Sequence, residues 1–180
     1  MTRSGAILKS LGIAVLLYAT WVGMMAVHEL GHCVHAWVSG GVIRRVSIPL
    51  LGFSQTFFRF NPHPHFVVWG GPIWGSVLPL LLLLLVPRRW STARNLVQFF
   101  AGFCLIANGA YLGVGWTMGV GDAGDLLWHG TPAWVLVAFG VVAVSAGLYL
   151  WHLLGVKSNP QGLPKLIDNS SPRPLTPPRT

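Results

Sequence analysis

Met24-Met25-Ala26-Val27-His28-Glu29-Leu30-Gly31-His32-Cys33-Val34 closes an apolar run that extends from about Ile7 to Val38, and its reading decides the fold. A run of this length and apolarity suits a helix that crosses a bilayer, for which ~20 residues suffice. Two imidazoles and a carboxylate are costly guests in such a helix. A charged side chain at its centre costs about 3 kcal/mol even on permissive insertion scales. Grouped on one turn, they point to a shared task. Paired glycines after Ser39, Gly40 and Gly41, stop the helix. Arg3 and Lys9 ahead of the run imitate a secretory leader, but no small-x-small cleavage pattern closes it between Ala19 and Val27. A retained span over about 7–38 is expected.

Composition points the same way. Of 180 residues, 53% are hydrophobic and 9% charged, against about 25% charged in soluble domains. Most of the surface is therefore unsuited to water. The fold class expected is an all-α polytopic membrane protein, with about four transmembrane helices and a small β-hairpin insert after the first. The net charge of +8 arises from 12 Lys and Arg against 4 Asp and Glu. The basic residues sit in short clusters beside apolar runs, as in membrane anchoring, so no nucleic-acid partner is expected. Cys33 and Cys104 lie in apolar helical stretches and form neither a disulfide framework nor a CxxC metal site. They read as small packing residues.

Further along the chain, Val42 to Ile48 and Gly52 to Phe60 are β-branched or aromatic and interleaved with polar residues. They read as two short strands, a β-insert over 42–60. An open hairpin edge is costly in lipid, so the insert is expected in the interface or in a protein-lined cleft. Spans follow at about 67–86, 96–116 and 132–154. The second contains Gly70-Gly71-Pro72-Ile73-Trp74-Gly75-Ser76, whose small residues admit a neighbouring helix closely, and Pro79 is expected to kink it. Residues 1–155 thus form one membrane-embedded domain. The Pro-, Ser- and Lys-rich stretch 156–180 reads as a disordered tail. With four spans and an inward N-terminus, nine of the basic residues fall inside and only Arg44, Arg45 and Arg59 outside, which favours that orientation.

Outside Asp168, the only carboxylates are Glu29, Asp122 and Asp125. HExxH on a helix places His28 and His32 one turn apart on one face, able to bind one metal ion. Glu29 reaches a water on that ion without ligating it. Zinc usually takes three protein ligands and keeps one position open. The third ligand must come from elsewhere, and Asp122 and Asp125 in Gly121-Asp122-Ala123-Gly124-Asp125-Leu126 are the carboxylates left. The other acid then serves as an outer partner or helix cap. His35, seven residues from His28, is about 20° short of two full turns and shares the histidine face, so it too competes for the third position. His63 and His65 read as loop residues; His129 and His152 read as interfacial.

With HELGH on a first core helix, a short β-insert, a Gly-Gly-Pro-x-x-Gly second helix and a later Asp-containing segment, residues 10–130 resemble the site-2 protease family of intramembrane metalloproteases. The resemblance implies His28 and His32 as zinc ligands and Glu29 as general base. It places Asp122 as third ligand, by likeness of Asp122 to Leu126 to the family's Asp-Gly-x-x-Leu run, with Asp125 second choice. The family's Asn-Pro-x-x-Asp-Gly sequence is absent, Ala123 follows Asp122, and Asn108, well upstream, reads as a packing residue. No PDZ-like domain is present. The resemblance also implies a site open to the cytosol, the reverse of the charge count.

The activity expected is zinc-dependent hydrolysis of peptide bonds in or near transmembrane segments. The partners expected are a membrane-protein or peptide substrate, paired with the edges of the insert strands, and the bilayer. The location expected is multi-pass, in the inner or plasma membrane of a prokaryote. The alternative is a non-catalytic metal-binding membrane protein, a transporter or sensor, with Glu29 itself a ligand.

Overall fold

The computed structural model describes residues 3–158. Its elements run α1 (Arg3–Val38), β1 (Val42–Ser47), β2 (Gln55–Phe60), α2 (Pro64–Leu85), α3 (Ser91–Gly115), α4 (Gly121–Trp128) and α5 (Ala133–Ser158). Four of these helices, α1, α2, α3 and α5, are long and apolar enough to cross a membrane. That agrees with the expected spans, with boundaries a few residues adrift. One element is added to the expected spans and one boundary changes. The connection holding Asp122 and Asp125 is itself a helix, α4. Residues 156–158, expected in the tail, continue α5, where Lys157 Nζ donates to Gln98 Oε1 at 2.9 Å. The rest of the expected tail, 159–180, lies outside the described residues.

Helix ends follow local chemistry. Pro64 opens α2, where its missing N–H costs nothing. At the other end Arg94 reaches back from α3 and donates through Nη1 to Leu83 O at 3.0 Å and Val86 O at 2.8 Å. A cation on the last carbonyls is the favourable sense of the helix dipole. Pro87 then forbids continuation. Within α2, the helix is maintained through both Pro72 and Pro79.

Small residues set how closely the helices approach. A Cβ on Gly31 would strike the Gly70 carbonyl, and one on Gly70 would strike Gly31, so α1 and α2 cross backbone to backbone. Gly109 and Gly113 of α3 meet Gly140 of α5 in the same manner. Met24 and Met25 of α1 pack with Cys104 of α3 in one apolar cluster. In a second, Ala123 and Leu126 anchor α4 among Val68 of α2, Leu112 of α3 and Leu136 of α5. That second cluster positions the site, because it carries Asp122 on its edge.

β1 and β2 pair antiparallel, with Val46 opposite Thr56 and Val42 opposite Phe60. The hairpin folds back along α1. Tyr18 Oη donates to Leu50 O at 3.1 Å, and the Trp21 and Phe53 rings meet edge-on at 6.0 Å. Tyr18 lies about 30 Å down the helix axis from Val38. The insert thus lines one side of α1, with Leu50, Leu51 and Phe53 exposed. Its inner side is held by Tyr18, Trp21 and Glu29, and among the described residues its outer strand edges carry no further backbone hydrogen bond.

Candidate metal centre

His28 and His32 are buried in the bundle on the side of α1 that meets α2 and α3. Each imidazole is fixed through Nδ1. His32 Nδ1–H donates to Val67 O at 2.9 Å. His28 Nδ1–H donates to Asn108 Oδ1 at 2.7 Å, while Asn108 Nδ2 donates to Cys104 O at 2.8 Å and so sets the amide's orientation. Both hydrogens are therefore committed on Nδ1, and both Nε2 lone pairs are free to face inward. A metal-binding histidine is usually held this way, its other nitrogen donating to a carbonyl or carboxylate.

The two Nε2 atoms are 3.2 Å apart. Asp122 Oδ2 completes a triangle, 2.8 Å from His28 Nε2 and 3.3 Å from His32 Nε2. Two nitrogens with facing lone pairs and a carboxylate oxygen require positive charge among them, a proton or a metal ion. Ligands about 2.0–2.1 Å from a tetrahedral zinc are about 3.3 Å from one another, close to these separations. Gly71 keeps the adjoining space open. A Cβ there would press on Nε2 of both histidines, 2.6 Å from that of His28. The donor set and the open cradle fit a zinc ion.

Asp122 is delivered by α4. Its neighbours Ala123 and Leu126 are fully buried, and its backbone N–H donates to Tyr111 Oη at 2.9 Å. The Tyr111 ring lies edge-on to His28 at 6.0 Å. Burial acts to raise the Asp122 carboxyl, but the adjoining His28 and His32 rings, which donate from Nε2 and carry positive charge when protonated, outweigh it and hold the group well below the ordinary carboxylate range. Of the three competitors for the third position, only Asp122 reaches the histidine pair. Asp125 is exposed. His35 Nδ1 donates to Phe66 O at 2.7 Å and its ring stacks on Phe66 at 4.2 Å, which occupies it elsewhere.

Glu29 is buried beside the pair. His28, Glu29 and His32 form a group able to hold a metal ion, their donor atoms all within 4.8 Å of one another. The two nearby carboxylates differ in contact, however. Asp122 touches both imidazoles, whereas the Glu29 side chain bonds to Thr56, whose Oγ1 donates to Oε2 at 2.5 Å. That difference gives more weight to Asp122 as the direct partner of the imidazoles than the mere proximity of Glu29 does.

The remaining histidines stay apart. His63, His65 and His129 line an open concavity of about 350 Å³ at the loop end, where His65 Nε2 pairs with Thr131 Oγ1 at 2.8 Å. His152 is exposed on α5. Two contributors went unread in the sequence, Thr56 and Tyr111, while Gly71, read as a small residue admitting a neighbouring helix, also borders the histidine pair. Asn108, read as a packing residue, is the partner of His28. The available signal was its chemistry, an amide within the otherwise apolar stretch Phe99 to Ala110 of α3. Comparison with protein families, curated proteins and solved structures returned no match for this chain.

Proposed function

We propose that this chain is a multi-pass membrane protein and a zinc metallopeptidase, hydrolysing peptide bonds in or near transmembrane segments of other proteins. The observation that carries the reading is the triangle of His28 Nε2, His32 Nε2 and Asp122 Oδ2, with the Glu29 carboxylate beside it. His28, His32 and Asp122 hold the ion. When bound, zinc supplies Lewis acidity and water with a pKa lowered toward ~7. Glu29 takes a proton from the attacking water and passes it to the departing amine. Asn108 and the Val67 carbonyl keep the imidazoles in the tautomer that binds metal. The free edges of β1 and β2 offer backbone groups to an unwound substrate segment. An apolar bundle of four long helices and an apolar hairpin tip suit a substrate met within a bilayer.

The test is hydrolysis of a transmembrane peptide by the purified chain in lipid vesicles. Cleavage should stop on chelation with 1,10-phenanthroline and return when zinc is restored. Cleavage indifferent to chelation, or none in zinc-loaded protein, refutes the reading.

A further inference from the structure

Glu29 stands at a seam. His28 and His32 face the helix bundle, while Glu29 is about 100° further round α1, on the side that meets the hairpin. Tyr18 is about 20° from Glu29 in projection and Trp21 about 60° from Tyr18, so these three hairpin contacts form one stripe along the helix, with Cys33 also beside Thr56. At its lower end the stripe holds the turn, through Tyr18 to Leu50 and Trp21 to Phe53. At its upper end it holds the strand through the bond from Thr56 Oγ1 to Glu29 Oε2 at 2.5 Å. Among the described residues, Thr56 is the only side chain hydrogen-bonded to Glu29, which is 3% exposed.

We infer that Thr56 is a positioning residue, holding the Glu29 carboxylate at the orientation in which it serves the metal centre and thereby coupling the hairpin to the base. A glutamate has three rotatable side-chain torsions, and a buried one with a single donor has its outer end set by that donor. With Oε2 held by Thr56, Oε1 is the oxygen free to work. Thr56 pairs with Val46 in the sheet, so its hydroxyl moves only as the strands move. A segment adding to the edge of the hairpin therefore acts on the base through one hydroxyl. The inference rests on the peptidase reading.

The experiment uses the full chain in detergent or nanodiscs, with Thr56→Val removing the hydroxyl at nearly constant shape and Thr56→Ser restoring it. Thr56→Val should keep one bound zinc and lower kcat about 10–100-fold, the range for loss of an outer partner. KM should stay within about twofold, because the contact acts on the chemistry and not on the substrate. Thr56→Ser should recover kcat to within about threefold of the unaltered protein. A second readout needs no substrate: with Co2+ in place of zinc, the visible absorption of Thr56→Val should differ from that of the unaltered chain, and that of Thr56→Ser should match it. Loss of the metal from Thr56→Val, equal impairment in Thr56→Ser, or unchanged kcat together with an unchanged cobalt spectrum would overturn the inference. If the unaltered chain cleaves nothing, the peptidase reading falls by itself, and the cobalt spectra still decide the role of Thr56.

Discussion

Glu29→Gln should leave one zinc bound per chain and lower peptide hydrolysis by about 10³-fold or more, within the range for removal of a general base. The change keeps the side chain's length and its bond with Thr56, whose hydroxyl can rotate to match an amide. It removes only the ability to accept and return a proton. In the geometry described, Glu29 is near the imidazoles but bonds to the hairpin, while Asp122 contacts both imidazoles directly. Metal affinity should therefore change little. Equilibrium dialysis and a cleavage assay on the same preparation check both halves. A transporter or sensor that uses Glu29 as a ligand gives the opposite pattern, with metal affinity lost and no turnover to lose.

Asp122→Ala should lower zinc affinity by at least about 10³-fold, beyond the 10–100-fold typical of outer partners. It strips one vertex from the triangle and removes the only carboxylate in direct contact with both imidazoles among the described residues. Asp125→Ala is the paired control. Asp125 is on the same short helix, is exposed, and should leave affinity within about twofold, as surface substitutions usually do. Competition titration against a chelator of known zinc affinity separates the two. Equal losses from both variants would mean that α4 matters as a packed helix rather than through Asp122.

These two variants turn on features that were unequally legible in the sequence. HELGH could be read because helical spacing is local: the residue four positions on returns to the same face whatever surrounds it. The four long helices were legible for a similar reason, since length and apolarity alone decide whether a helix can cross a bilayer. The hairpin was legible as two strands but not in its placement. Its fold back along α1 depends on Tyr18 and Trp21 meeting Leu50 and Phe53, contacts between segments some thirty residues apart. The third vertex lay further out of reach. Asp122 is 94 residues from His28, and the choice of Asp122 over Asp125 and His35 depends on how α4 packs through Ala123 and Leu126. Thr56 carried no signal of its role in the sequence, and Gly71 was legible only as a small residue that admits a neighbour. A threonine on a strand and a glycine on an apolar helix are ordinary until the fold brings one to Glu29 and the other to the histidine pair.

The zinc K-edge absorption spectrum of the purified, fully loaded chain tests the central claim most directly, because it counts and identifies the atoms around the metal. The arrangement predicts two imidazole nitrogens and oxygen ligands at about 2.0–2.1 Å, unchanged in Glu29→Gln and short of one oxygen in Asp122→Ala. A chain that takes up no zinc would contradict it. So would a zinc site whose oxygen ligands survive Asp122→Ala and are lost in Glu29→Gln.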